Sequence, residues 1–248
     1  MSGLWVQLRR ELSAYFVSPL AYVVMVFFLA MTGYSFALVM EFFNRGPLDV
    51  SAGPAFFRTG LFWFPLLFSV PVLTMRLFAE EKRQGTIETL MTAPISDLSV
   101  VLSKFLAALV FYLLLWLPAL CYVFVLRWVA DDKTPLEWGT TLGSFGGVIL
   151  IGSFYLSIGV FASSLTRNQI IAAVVAFALI IVAFFSGFRA FLQGSGWQQK
   201  VVEYISAFQH MDEWTRGIMD TRRIVFYLSL TAFMLFLTHK VVESRKWK

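Results

Sequence analysis

Arg76 to Lys104 reads RLFAEEKRQGTIETLMTAPISDLSVVLSK, the longest polar interruption between two strongly apolar runs in the first half of the chain. Apolar residues recur within it at helical spacing, which predicts helices rather than an unstructured loop. Gly85 is suited to end the first of these helices, because glycine adopts the left-handed conformation at little cost.

A second and a third helix are predicted after that break. Thr86 can cap a short helix over 87–92, and Pro94 holds it to about two turns because a residue before proline disfavours helix. Ser96 can cap the helix that leads into the next apolar run. The stretch therefore predicts a small rigid knob between Gly85 and Pro94, although an ordinary amphipathic loop between two helices is the alternative.

The composition is that of a membrane protein. Hydrophobic residues make up 58% of the 248 residues and charged residues 14%, whereas a soluble domain carries about 25% charged residues. The net charge of +5 suits anionic headgroups, and basic residues scattered between apolar runs argue against nucleic acid as a partner. The single cysteine, Cys121, excludes an intrachain disulfide and a cysteine metal cluster.

Six apolar runs approach the ~20 residues needed to cross the hydrocarbon of a bilayer. They lie at about 19–40, 59–77, 105–127, 140–165, 170–191 and 224–242. Gly143 and Gly147 of the fourth run form a G-xxx-G step that predicts close helix packing. We therefore expect one all-α membrane domain over 1–248, with no cleavable signal peptide.

An amphipathic helix precedes the first run. At ~100° per residue its apolar side chains fall within one arc, which predicts a helix over 1–18 lying along the membrane surface. These side chains are Leu4, Trp5, Leu8, Leu12, Tyr15 and Phe16.

The even number of runs places both termini on one side of the membrane. That side carries 11 of the 20 lysines and arginines, and the two short loops opposite carry only two each. Because basic residues accumulate in cytoplasmic loops, we predict cytoplasmic termini.

The stretch 76–104 resembles the coupling-helix loop of ABC-2 type transporter permeases. The matching residues follow the order EE-x3-GT-x-E-x-L-x2-AP and are Glu80, Glu81, Gly85, Thr86, Glu88, Leu90, Ala93 and Pro94. The resemblance implies that this loop, with Ile87 and Met91, docks into a groove on a cytoplasmic ATPase.

It further implies a non-catalytic permease subunit, an exporter of the bacterial inner membrane, assembled from two permease chains and two ATPase chains. The ATPases would bind ATP and Mg²⁺, so this chain needs no cofactor, and an extracytoplasmic accessory protein is a further partner to consider.

A second long polar segment precedes the last run. Trp197, Val201, Tyr204, Ile205 and Phe208 predict an amphipathic helix on the outer membrane surface. It is followed by a G-x-x-D-x-R sequence formed by Gly217, Asp220 and Arg222, which resembles the segment before the last span in the gliding-motility-associated branch of these permeases.

The fifth run has an aromatic face with two open interpretations. Phe177, Ile181, Phe184, Phe185 and Phe188 lie along one side of the predicted helix. They are suited to an apolar pathway or a seam between two permeases, and equally to contact with lipid or neighbouring helices.

Several kinds of chemistry are missing from the sequence. No ionisable residue lies in the central part of a predicted span, which argues against an ion-coupled transporter and an intramembrane enzyme. There is no G-x4-G-K-[ST] loop, so energy must come from a partner, or no energy is used.

His210 and His239 are isolated, and we interpret them as interfacial rather than metal-binding. We interpret Glu80 and Glu81 as solvated. The alternative function is a membrane scaffold that uses an ATPase for mechanical work on envelope partners.

Overall fold

The computed structural model describes residues 3–44, 56–57, 59–86, 96–129, 138–187 and 204–244, and these ranges contain helices and no strand. The helices are α1 (Gly3–Val17), α2 (Pro19–Asn44), α3 (Gly60–Thr74), α4 (Arg76–Gln84), α5 (Asp97–Val129), α6 (Trp138–Leu165), α7 (Gln169–Ser186), α8 (Ala207–Thr215) and α9 (Thr221–Glu243). Six segments are long and apolar enough to cross a membrane: Pro19–Phe42, Gly60–Gln84, Asp97–Tyr122, Gly139–Leu165, Gln169–Ser186 and Thr221–Glu243. The predicted all-α fold with six spans is therefore confirmed.

Helix α6 occupies the centre of the bundle and packs against α3, α4, α5, α7, α8 and α9. Glycines along α6 receive side chains from other helices, so that a Cβ at the glycine would lie only 2.1–2.3 Å from the visiting side chain. The pairs are Gly147 with Trp214 of α8, Gly152 with Tyr112 of α5, and Gly159 with Thr74 of α3. Close approach at small residues, typical of membrane helices, thus places α6 at the core.

The G-xxx-G step of α6 packs closely, as predicted. A Cβ at Gly143 would lie 2.7 Å from the carbonyl oxygen of Trp214, and Gly147 lies against the indole ring of the same residue. The partner is the short helix α8 rather than another span, so this step fixes the outer segment to the bundle.

The described part of the outer segment packs against the bundle through α8, whereas Tyr204 and Ile205 remain exposed, so its placement on the outer membrane surface stays a prediction. Helix α8 buries Ala207, His210, Met211 and Trp214, because the glycines of α6 leave room for them. Trp197 and Val201 lie outside the described residues.

Two boundaries of the polar stretch follow the sequence prediction. Gly85 has a φ of 73° and ends α4 in the left-handed conformation. The Ser96 hydroxyl accepts a hydrogen bond from the Ser99 amide at 3.3 Å, which caps the next helix. That helix, α5, begins at Asp97, earlier than the apolar run at Phe105, because it includes the buried polar residues Ser103 and Lys104.

The hairpin between the fourth and fifth spans is tight. Helix α6 ends at Leu165 and α7 begins at Gln169. The Asn168 side chain caps α7 by accepting a hydrogen bond from the Ile170 amide at 2.9 Å.

Candidate functional site

A polar junction joins four helices at one end of the bundle. It brings together α1, the end of α4, the start of α5 and the end of α6, and its core is a charge triad of Glu11, Glu81 and Lys104. The Lys104 ammonium lies 2.9 Å from Glu11 Oε1 and 2.8 Å from Glu81 Oε1, and its side chain is only 1% exposed. One buried cation therefore holds two helices against α5, since removing it would leave two carboxylates close together without compensation.

Neighbouring side chains support this triad. The Gln7 amide donates to Glu11 Oε1 at 3.3 Å, and the Lys104 ammonium lies 5.3 Å from the centre of the Phe78 ring. Hydrogen bonding and the favourable face of an aromatic ring both lower the cost of burying charge.

A second set of contacts fixes α1 to the break between α3 and α4. The Tyr15 hydroxyl donates to the Leu73 carbonyl at 2.8 Å, and burial raises the pKa of this phenol, so it remains a donor. Arg76 lies over the Tyr15 ring at 4.9 Å and donates to the Ser18 hydroxyl. The end of α1 is thus attached to both helices.

Helix α4 is also attached to α6. The Ser163 hydroxyl accepts hydrogen bonds from the amides of Phe78 and Ala79, and the buried Lys82 ammonium donates to the Ser164 carbonyl. A cation near the last carbonyls of α6 also complements the helix dipole.

The tip of α4 is exposed. We use the name docking arm for α4 together with Gly85 and Thr86. Arg83, Gln84, Gly85 and Thr86 face outward, and Glu80 accepts from Arg83 at 2.8 Å. A pocket of about 290 Å³ opens between the arm and α1, so the arm offers a polar surface beside a cavity.

The structure separates the residues predicted to dock the ATPase. Gly85 and Thr86 are exposed, and Glu80 is half-buried. Glu81 is not solvated, which corrects the sequence interpretation: its carboxylate is bound to Lys104. Ile87, Glu88, Leu90, Met91 and Pro94 lie outside the described residues.

The aromatic face of the fifth span is divided. The rings of Phe177 and Phe68 are 5.1 Å apart, and those of Phe184 and Trp63 are 5.0 Å apart, so much of this face packs against α3. Phe185 is 51% exposed. Ile181 is partly buried against the core, and Phe188 lies outside the described residues.

The outer G-x-x-D-x-R sequence forms a helix stop and a helix start. Gly217 has a φ of 77°, and the Ile218 amide donates to the Glu213 carbonyl at 3.0 Å, which together form a Schellman end to α8. The Asp220 carboxylate caps α9 by accepting from the Arg222 amide at 2.8 Å. The Arg222 side chain is exposed.

Sequence reasoning missed several residues that the fold buries. His210 is fully buried rather than interfacial, and its Nδ1 lies 2.9 Å from the Tyr227 hydroxyl. Glu11 lies one turn from both Leu8 and Tyr15, on the same face of the helix. This spacing was the one signal in the sequence that Glu11 would be buried. Within the described ranges no group of three or more His, Cys, Asp or Glu residues is arranged to hold a metal ion.

The family model described as "ABC-2 family transporter protein" matches residues 23–245, which include most of the first candidate span, the other five spans and the docking arm. A search of curated proteins returned no match. Because the matched region is nearly the whole chain, this multi-pass membrane protein belongs to the ABC-2 family of transporter proteins, as a non-catalytic subunit of the permease type.

Proposed function

We propose that this chain is the permease of an ATP-driven exporter and that its docking arm carries the contact with a separate cytoplasmic ATPase. The observation that carries the proposal is the arm itself. It completes the second candidate span, ends in an exposed left-handed glycine, and is fastened along its length to α5 and α6 and, through Lys104, to α1. An element held in this way transmits a push at its tip to several helices.

The chemistry of the tip suits a protein partner. Gln84 and Thr86 line the polar pocket between the arm and α1, together with Arg10 and Arg76. Leu90 and Met91, which follow the tip in sequence, supply the apolar anchor that interfaces place at their centre.

Leu90→Asp tests this proposal. We expect the variant to insert normally in the membrane and to lose the ATPase on co-purification, because a buried anchor can contribute ~2 kcal/mol or more to an interface. Glu88→Ala should have a milder effect, since charges at a rim contribute less. Full recovery of the complex with full ATPase activity in Leu90→Asp would refute the docking assignment.

The orientation is a separate proposal. Helix α1, the end of α4, the start of α5 and the end of α6 are in contact at one end of the bundle. This end carries the larger number of basic residues. By the positive-inside rule we place it, with both chain termini, in the cytoplasm of a bacterium, the chain residing in the inner membrane.

Reporter fusions check this orientation. Fusions at Asp131 and Gln198 should report the outer side, and a fusion at Gln84 the cytoplasm, because the docking arm must reach an ATPase there. An outer signal at Gln84 would reverse the topology and remove the ATPase from reach of the arm.

The assembly that we propose contains two permease chains and two ATPase chains. Membership of the family implies association with ATPases and dimerisation. ATP and Mg²⁺ would be bound by the ATPase, and an extracytoplasmic accessory protein remains a proposed further partner. ATP-dependent movement of cargo into sealed vesicles would support export, whereas stimulated ATP hydrolysis without movement would support the mechanical scaffold.

Assignment to the gliding-motility-associated branch stays a prediction. It rests on Gly217, Asp220 and Arg222, of which the first ends α8 and the second caps α9. Helix geometry accounts for both of these residues, so only the exposed Arg222 would carry a signal particular to a branch.

A further inference from the structure

The boundary between α3 and α4 contains a hydroxyl group inserted into a helix. Met75 at this boundary has helical dihedral angles, with φ of −54° and ψ of −31°. The Ser163 hydroxyl donates to the Met75 carbonyl at 2.9 Å and accepts from the Ala79 amide at 3.2 Å. An uninterrupted α-helix would join that carbonyl directly to that amide, so Ser163 stands between the two.

The hydroxyl is fully used in this position. It also accepts from the Phe78 amide at 3.0 Å, which completes the one donor and two acceptor sites of a serine side chain. Ser163 is completely buried. A side chain inserted into the hydrogen-bond ladder is a recognised cause of helix bending. The inserted hydroxyl therefore accounts for the break between α3 and α4.

The same groups have a second arrangement in which all remain satisfied. Ser153, Ser157 and Ser164 of α6 donate to the carbonyl three residues earlier in their own helix. Ser163 can do the same towards Val160, and the Met75 carbonyl then accepts from the Ala79 amide as in a regular helix. The Ser163 hydroxyl, the Met75 carbonyl and the Ala79 amide have a partner in both arrangements, and the Phe78 amide can donate to the Thr74 carbonyl in the second, so the two need differ little in free energy.

The surroundings place such an exchange at Met75. Gly159 lies opposite Thr74, where a Cβ would come within 2.1 Å of the threonine hydroxyl, so α3 is held against α6 beside the break. Nearer its tip the arm is bound by Lys82 to the Ser164 carbonyl and by Glu81 to Lys104, so these two lysine side chains must adjust when the arm moves.

We propose that Ser163 is a positioning residue that makes Met75 a hinge, with the docking arm bent while the hydroxyl is inserted and straight when it withdraws. The inference rests on the proposed function, since the ATPase is what would drive the exchange. Helix α4 of the arm is 9 residues long, about 13 Å at 1.5 Å per residue, so a change of ~20° moves its far end by about 5 Å.

The experiment measures this movement by pulsed electron paramagnetic resonance. Spin labels are placed at Gln84 and Arg167, both exposed, in a Cys121→Ala background. The permease–ATPase complex is compared in lipid nanodiscs without nucleotide and trapped with ATP and vanadate. The parent should show a shift of about 5 Å between the two states, and Ser163→Ala should show one distance in both, because alanine cannot enter the ladder.

Ser164→Ala is the matched control, because the Ser164 hydroxyl bonds within its own helix, and it should shift like the parent. Ser163→Cys keeps a side chain of similar size but bonds weakly, so an intermediate shift is expected, and this variant decides the matter if Ser163→Ala folds poorly. An unchanged shift in both Ser163 variants, or no shift in a parent complex that has bound its ATPase, overturns the hinge and leaves docking intact. Failure of the parent to bind an ATPase overturns the proposed function, and the hinge with it.

Discussion

Replacing Lys104 with alanine is expected to destabilise the permease by about 3–5 kcal/mol, the usual cost of removing one partner from a buried ion pair. The substitution leaves Glu11 and Glu81 close together in a site from which their shared cation has gone. Thermal unfolding of the purified protein in detergent measures the effect.

Two comparisons make this result specific. Lys240, also a lysine in an ion pair but 54% exposed, should be replaceable by alanine with little change in melting temperature, because solvent screens such pairs. A variant that combines Lys104→Met with Glu11→Gln and Glu81→Gln should regain most of the loss, since no charge remains buried. If Lys104→Ala had the same melting temperature as the parent protein, the triad would not be holding α1 and α4 against α5.

Gly147→Leu is expected to destabilise the opposite end of the bundle, by somewhat less than the loss of Lys104. The first added carbon alone would lie 2.1 Å from the Trp214 ring, and Trp214 is only 1% exposed, so its ring cannot move away into solvent. Overpacking of a close-packed core costs about 1–3 kcal/mol and occasionally more, so a lower melting temperature and yield should follow.

The neighbouring glycine supplies the control for this prediction. A Cβ at Gly146 would lie 3.7 Å from Met219 Cε, an ordinary contact, so Gly146→Ala should be neutral or slightly stabilising, whereas Gly147→Ala should already lower the melting temperature. In a Trp214→Leu background the cost of Gly147→Ala should shrink, because the two positions are coupled. Equal melting temperatures for the two alanine variants would show that contact with Trp214 does not limit the size of the side chain at position 147.

Local signals in the sequence were sufficient for most of the fold. Length and hydropathy located six spans, Gly85 and Ser96 marked helix ends, and the small residues of α6 predicted close packing. Each of these features depends on residues that are close together in the chain, so it could be predicted without knowledge of the tertiary structure.

The junction could not be predicted in the same way. Lys104 lies at the edge of an apolar run, where it looked like an ordinary basic residue flanking a span. Its partners Glu11 and Glu81 are distant from it in the chain. Their burial depends on three helices meeting, as the contact of His210 with Tyr227 depends on α8 entering the bundle. Ser163 differs in no local respect from the serines near it, since only its neighbour across the interface makes it part of another helix.

The charge triad also imposes an order on biosynthesis. Lys104 follows Glu11 by 93 residues, so at 5–20 residues per second the ribosome adds the lysine about 5–20 s after the glutamate. During that interval the Glu11 carboxylate lacks its cation and is most stable in contact with water. The first helix of the nascent chain is therefore expected to wait outside the bilayer core and to reach its final place only after α5 begins to insert.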